Sequence, residues 1–175
     1  LAGCIADAAG PLDDDPAEQA LLWWRLLETG GRARAEHFPD ASSDDGRIAD
    51  AVAAGLATLV DRWRTSRAKV RLDAGSEGTV ADVTDDGIVV EAGGAKRTVA
   101  WRDVAAERWA FFLARDLAND ERGSAATAWL RALSGKHAEA LTAAKRAKGE
   151  VAAALGRRLQ DAKPLTAPFA AAAAF

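Results

Sequence analysis

The chain has 175 residues and a formal charge of −3, enough length to bury a real core and a charge balance that excludes general electrostatic attraction for a polyanion such as nucleic acid. Hydrophobic residues make up 49%, but about half of them are alanine, which favours closely packed helices over a sheet-dominated fold. One cysteine excludes an internal disulfide framework and a Cys-based zinc site, and no apolar run reaches the length of about eighteen residues that spans a membrane.

Charge is unevenly spread: residues 1–46 carry 3 basic and 10 acidic groups, residues 119–175 carry 9 and 5. An acidic front and a basic back can attract each other within one molecule or between neighbours, or each can remain a solvated face. The chain opens Leu1-Ala2-Gly3-Cys4, the apolar, small, small, cysteine order that resembles the lipobox of bacterial lipoproteins. That resemblance implies a lipid attached at Cys4 and a location on the periplasmic face of a membrane in the cell envelope. The acidic, Pro-containing stretch that follows, up to residue 15, reads as a tether between bilayer and folded body.

Asp15-Pro16-Ala17-Glu18 marks the first helix start, with Asp15 as N-cap, Pro16 in the first turn and Glu18 as capping-box partner. Leu22, Trp23, Leu26 and Leu27 form its apolar stripe, and Gly30-Gly31 stops it. A short helix over 32–37 precedes Pro39, and a long one follows the polar run 40–46, carrying Ile48, Val52, Leu56, Leu59, Val60 and Trp63 at helical spacing. Residues 16–68 are thus read as an N-terminal helical unit.

The period changes over 69–101, where Val70 and Leu72 alternate with charged neighbours, Gly78 allows a bend, and Ile88, Val90 and Val99 share faces. Asp86-Gly87 and Gly93-Gly94 supply the positive φ angles of tight hairpins. Four short antiparallel strands result, a meander that resembles part of a small Sm-like β-barrel.

Helix returns over 102–163. Asp103 is a candidate N-cap for a segment in which Val104, Trp109, Phe112, Leu113 and Leu117 face one way and Phe111 points elsewhere. Gly135-Lys136-His137 leads into Ala140 and, seven residues on, Ala147, with Ala128 before them. This pattern resembles the centre of a tetratricopeptide repeat, in which a glycine turns the chain and small residues let paired helices approach; it implies a helical hairpin of a family that binds protein segments. A last helix uses Val151, Leu155 and Leu159, and a tail over 164–175 holds Phe169 and Phe175. The expected fold class is α+β: mainly helical hairpins with an inserted four-stranded meander or small barrel.

His37 and His137 lack neighbours at metal-ligand spacing, and Asp13-Asp14-Asp15 lacks the alternation of a calcium loop. The serines stand in no nucleophile context, so neither catalytic residues nor a cofactor are expected. The Trp-Arg neighbours are the recognition candidates, because an indole beside a guanidinium can anchor an interface: Trp24 with Arg25, and Trp63 with Arg64. The expected role is a non-enzymatic scaffold or adaptor of the bacterial cell envelope, anchored through Cys4 and binding protein partners. The alternative is a small-ligand, peptide or RNA-binding module with Lys69, Arg71, Lys96 and Arg97 on the rim of its β portion.

Overall fold

Residues 16–72, 75 and 77–161 are described by a computed structural model. The tether over 1–15 with Cys4 and Asp15, the Glu18 side chain, and the tail over 164–175 with Phe169 and Phe175 lie outside the described residues.

The elements run α1 (Pro16–Glu28), α2 (Arg34–His37), α3 (Asp44–Ser66), β1 (Lys69–Val70), β2 (Gly78–Val83), β3 (Gly87–Ala92), β4 (Ala95–Ala100), α4 (Ala106–Asp116), α5 (Glu121–Leu133), α6 (His137–Ala144) and α7 (Gly149–Asp161). The fold class is α+β. The longest helix, α3, starts where the Ser43 hydroxyl accepts from the Gly46 N–H at 3.0 Å. It buries the face formed by Ile48, Val52, Leu56, Leu59, Val60 and Trp63. It ends as Arg67 enters the left-handed region at φ 50°, which lets the Ala68 N–H close back on the Trp63 carbonyl at 3.0 Å.

Strand order is β1-β2-β3-β4, all antiparallel, so β1 and β4 form the two edges of a meander. Gly93 and Gly94 turn β3 into β4 at φ 60° and 81°, as the pattern requires. Gly87 departs from expectation: its φ is not positive. It is needed for closeness, since a Cβ there would stand 2.1 Å from the Val99 carbonyl oxygen. The bend expected at Gly78 falls further along β2, where the register with β3 slips between Val80 and Asp82. An extra residue there tightens the local twist.

Two other local expectations change. Trp101 leaves the sheet and begins a single 3-10 turn with Arg102 and Asp103. Asp103 therefore caps nothing, and α4 begins after Ala105 without a side-chain cap. Conversely, Asp120 caps α5, its carboxylate accepting from the Gly123 N–H at 2.7 Å.

One apolar cluster joins every layer: Leu26 of α1, Leu56 of α3, Ile88 and Val99 of the sheet, Leu113 of α4, Leu130 of α5 and Leu155 of α7. The sheet and the helices thus share a core, and α3 lies against β2. Across the turn at Gly135 (φ 76°), α5 packs on α6, where Ala128 and Ala140 are fully buried. No helix among the described residues is long and apolar enough to cross a membrane.

Candidate protein-binding groove

A row of rings fixes the position of α4. Trp101 lies 6.1 Å from Trp109, Trp109 lies 6.0 Å from Trp63 in a stacked arrangement, and Phe112 meets Trp63 edge-on at 4.9 Å. Each pair adds geometric preference to the area it buries. The Arg32 guanidinium caps one end of the row over Trp101 at 5.1 Å, and Arg115 covers Phe112 at 4.8 Å. Because neighbours on a helix point about 100° apart, the inward turn of Phe112 leaves Phe111 outward, 53% exposed.

The row also decides the standing of the Trp-Arg pairs. Trp63 is 1% exposed and donates its indole N–H to Asp116 at 2.7 Å, so its ring presents no surface to a partner. Its neighbour Arg64 is exposed and pairs with Asp61 at 3.2 Å. On α1, Trp23 is buried against Phe38 and Trp129 at 4.4 and 5.0 Å. Trp24 is left half-buried and Arg25 exposed. Trp24 and Arg25 are therefore the pair that reaches the surface.

The sequence did not single out a groove that the helices form together. Helix α5 packs against α4 on one side and α6 on the other. Between the flanking helices runs a groove whose floor is one face of α5. Ser124, Thr127, Arg131 and Ser134 lie along that floor at helical spacing. Ala110, Phe111 and Ala114 form the α4 wall, and Glu139 and Thr142 of α6, with Arg146 in the turn after it, form the opposite wall.

The groove widens at two places that share Arg131. One is a cavity of about 190 Å³ toward Ala118 and Arg146; the other, of about 100 Å³, lies beside Phe111. At the Phe111 end the Lys136 ammonium donates to the Glu107 carboxylate, tying the α5–α6 turn to α4. That hydrogen bond holds Lys136 above the usual lysine range. Arg131 approaches Glu139 at 3.6 Å, an ion pair too long for a hydrogen bond. On the α4 side the sequence signal for this groove was Phe111, an apolar side chain pointing away from the face its neighbours share.

The basic residues of the β portion do not meet. Lys69 is in β1 and Arg71 just beyond it, whereas Lys96 and Arg97 are in β4. The edge strands stand three inter-strand spacings apart, about 14 Å. Two of those four, Lys96 and Arg97, therefore sit on the edge opposite the other two. His37 ends α2 and His137 begins α6. Among the described residues no three His, Cys, Asp or Glu side chains are grouped to hold a metal ion.

No family model matches the chain, and neither a curated protein nor a solved structure matches it.

Proposed function

We propose that this chain is a non-enzymatic adaptor of the bacterial cell envelope, anchored by a lipid on Cys4, that holds a segment of a partner protein in the groove between α4, α5 and α6. The observation that carries the binding role is that groove. Three helices present a floor of small and hydroxylated side chains, with Phe111 half out of its wall and Arg131 at its centre. An apolar anchor beside an arginine is a combination enriched at interaction hot spots, and helix-lined grooves accept extended or helical segments. The likeness of residues 125–147 to a tetratricopeptide hairpin supports the same reading, as does the small-residue packing of Ala128 and Ala140. The envelope location rests on the lipobox likeness alone. Trp24 and Arg25 on α1 offer a second, separate contact for a larger assembly.

Site-specific photo-crosslinking in the native cells tests the binding role. A crosslinker placed at Phe111 is expected to trap a defined protein, whereas one at Ala57, exposed on α3, is not. Equal trapping at both positions, or none at Phe111, would contradict it. The intact mass of the purified protein tests the anchor: a chain beginning at Cys4 with added acyl groups is expected, and an unmodified Cys4 would remove it.

A further inference from the structure

The wider end of the groove has a chemistry that the binding role alone does not require. Three polar side chains that line it, Ser124, Arg131 and Arg146, have donors to spare. Ser124, at 6% exposure, is one of two buried polar residues in the described chain, and its hydroxyl has no hydrogen-bond partner among the described residues. The other, Thr127, already gives its hydroxyl proton to the Gly123 carbonyl at 2.7 Å, so Ser124 supplies the free donor. Arg146 is exposed at the mouth and forms no ion pair among the described residues. Arg131 has only the long 3.6 Å approach to Glu139, which leaves its N–H groups able to turn to a better acceptor.

No acidic side chain lines this cavity, and the remaining wall is apolar, formed by Ala114, Leu117, Ala118 and Ala143 with the methyl groups of the threonines. The lining therefore offers the Ser124 hydroxyl and two guanidinium groups, donors and positive charge with no carboxylate in the wall to match them. The complement of such a lining is an anion small enough for about 190 Å³. The guanidinium fork matches a carboxylate, with two parallel N–H···O bonds. The apolar wall suits the methylene stem that carries it.

We infer that this cavity receives the carboxylate of an aspartate or glutamate side chain on the protein segment bound in the groove. The inference rests on the groove reading and adds the identity of the anchor: an acidic residue seated between Arg131, Arg146 and Ser124, with the segment continuing past Arg131 toward Phe111. Charge complementarity selects the occupant. A neutral or basic segment would leave Arg146 without a counter-charge, Arg131 with only its long contact to Glu139, and the Ser124 hydroxyl without a protein partner.

The test is a random-peptide phage library panned on the full chain. Counter-selection uses Phe111→Asp, a change at an exposed residue, and separately Ala114→Trp, which fills the groove; circular dichroism checks that both variants fold. The enriched peptide is then resynthesised with its acidic residue as the matching amide and titrated against the parent chain, Arg146→Gln and Ser124→Ala. Enriched peptides are expected to share an acidic position. The amide peptide and Arg146→Gln are each expected to weaken binding about tenfold or more. Combining the two should cost no more than either alone, since both delete the same contact. Peptides that need an intact groove yet bind equally well as amides and to Arg146→Gln would overturn the carboxylate anchor and leave the groove reading standing. Peptides indifferent to both groove variants, or no enrichment at all, would overturn the groove reading and the anchor with it.

Discussion

Asp116 holds the ends of α3 and α4 together. Its carboxylate accepts the Trp63 indole N–H at 2.7 Å and two N–H groups of Arg115 at 2.5 and 2.6 Å, while Arg62 donates to its backbone carbonyl. Burial pushes the carboxyl pKa up, but the hydrogen bonds from Arg115 and Trp63 outweigh it and hold the group below its usual range. A depressed carboxyl stabilises the fold above its unfolded pKa, about 4, and that contribution is lost as pH falls through the lower folded value. Asp116→Ala is therefore expected to cost about 1–3 kcal/mol at neutral pH, because it leaves a buried indole N–H without an acceptor. The difference from the parent should shrink as the pH drops below 4, and urea unfolding at several pH values measures it. A cost independent of pH would mean that packing, and not the charge, is what Asp116 supplies. The same residues show what a sequence conceals: Trp63 beside Arg64 has the form of an interface anchor, yet helical phase alone puts it in the core stripe with Leu56 and Leu59. Phase was the better guide, and it also marked Phe111 as the ring left outside.

Between elements, the most organised electrostatic contact is a clasp joining the start of α3 to α7. Arg157 grips Asp44 with two bonds of 2.6 and 2.7 Å, Arg158 grips Asp45 with two of 2.9 Å, and Arg47 reaches Glu150 at 3.0 Å. The bond from Arg157 is the main reason the Asp44 carboxyl stays below its usual range. Single exposed pairs are worth about 0–1 kcal/mol; here three act across one interface that also buries Leu155 and Leu159. The two aspartates do double duty, since they also face the positive end of the α3 dipole. Exchanging the charges of one pair, Asp45→Arg with Arg158→Asp, is accordingly expected to recover only part of what either single change loses. Amide hydrogen exchange in α7 reads the result, and full recovery would show that the dipole adds nothing. Element order was legible because each helix carries its own apolar stripe and each hairpin its own turn residues. What failed were details set by contact: Gly87 is required by the approach of the Val99 carbonyl, and the bulge in β2 follows its pairing with β3. The groove failed for a stronger reason, since it exists only once α4 and α6 have been placed on either side of α5.

At the scale of the molecule, the acidic front and basic back of the chain meet within it, as Asp44 and Asp45 find Arg157 and Arg158. The core is likewise continuous, running from the sheet through α3 to α7, so the change of hydrophobic period at residue 69 marks a change of element and not of core. A shared core implies one cooperative transition. Tryptophan emission, which reports the ring row and α1, and far-ultraviolet circular dichroism, which reports the helices, are expected to give coincident urea curves. Separated midpoints would show that the β portion or the carboxy-terminal helices unfold as an independent unit.

The central claim is that a partner segment lies between α4 and α6, and hydrogen–deuterium exchange of the chain with and without the protein trapped at Phe111 tests it most directly. The expected result is protection concentrated in α4, α6 and the α5–α6 turn, with little change in β4. Protection centred instead on α1 around Trp24, or on the β4 edge around Lys96, would place the partner elsewhere and contradict the assignment of the groove.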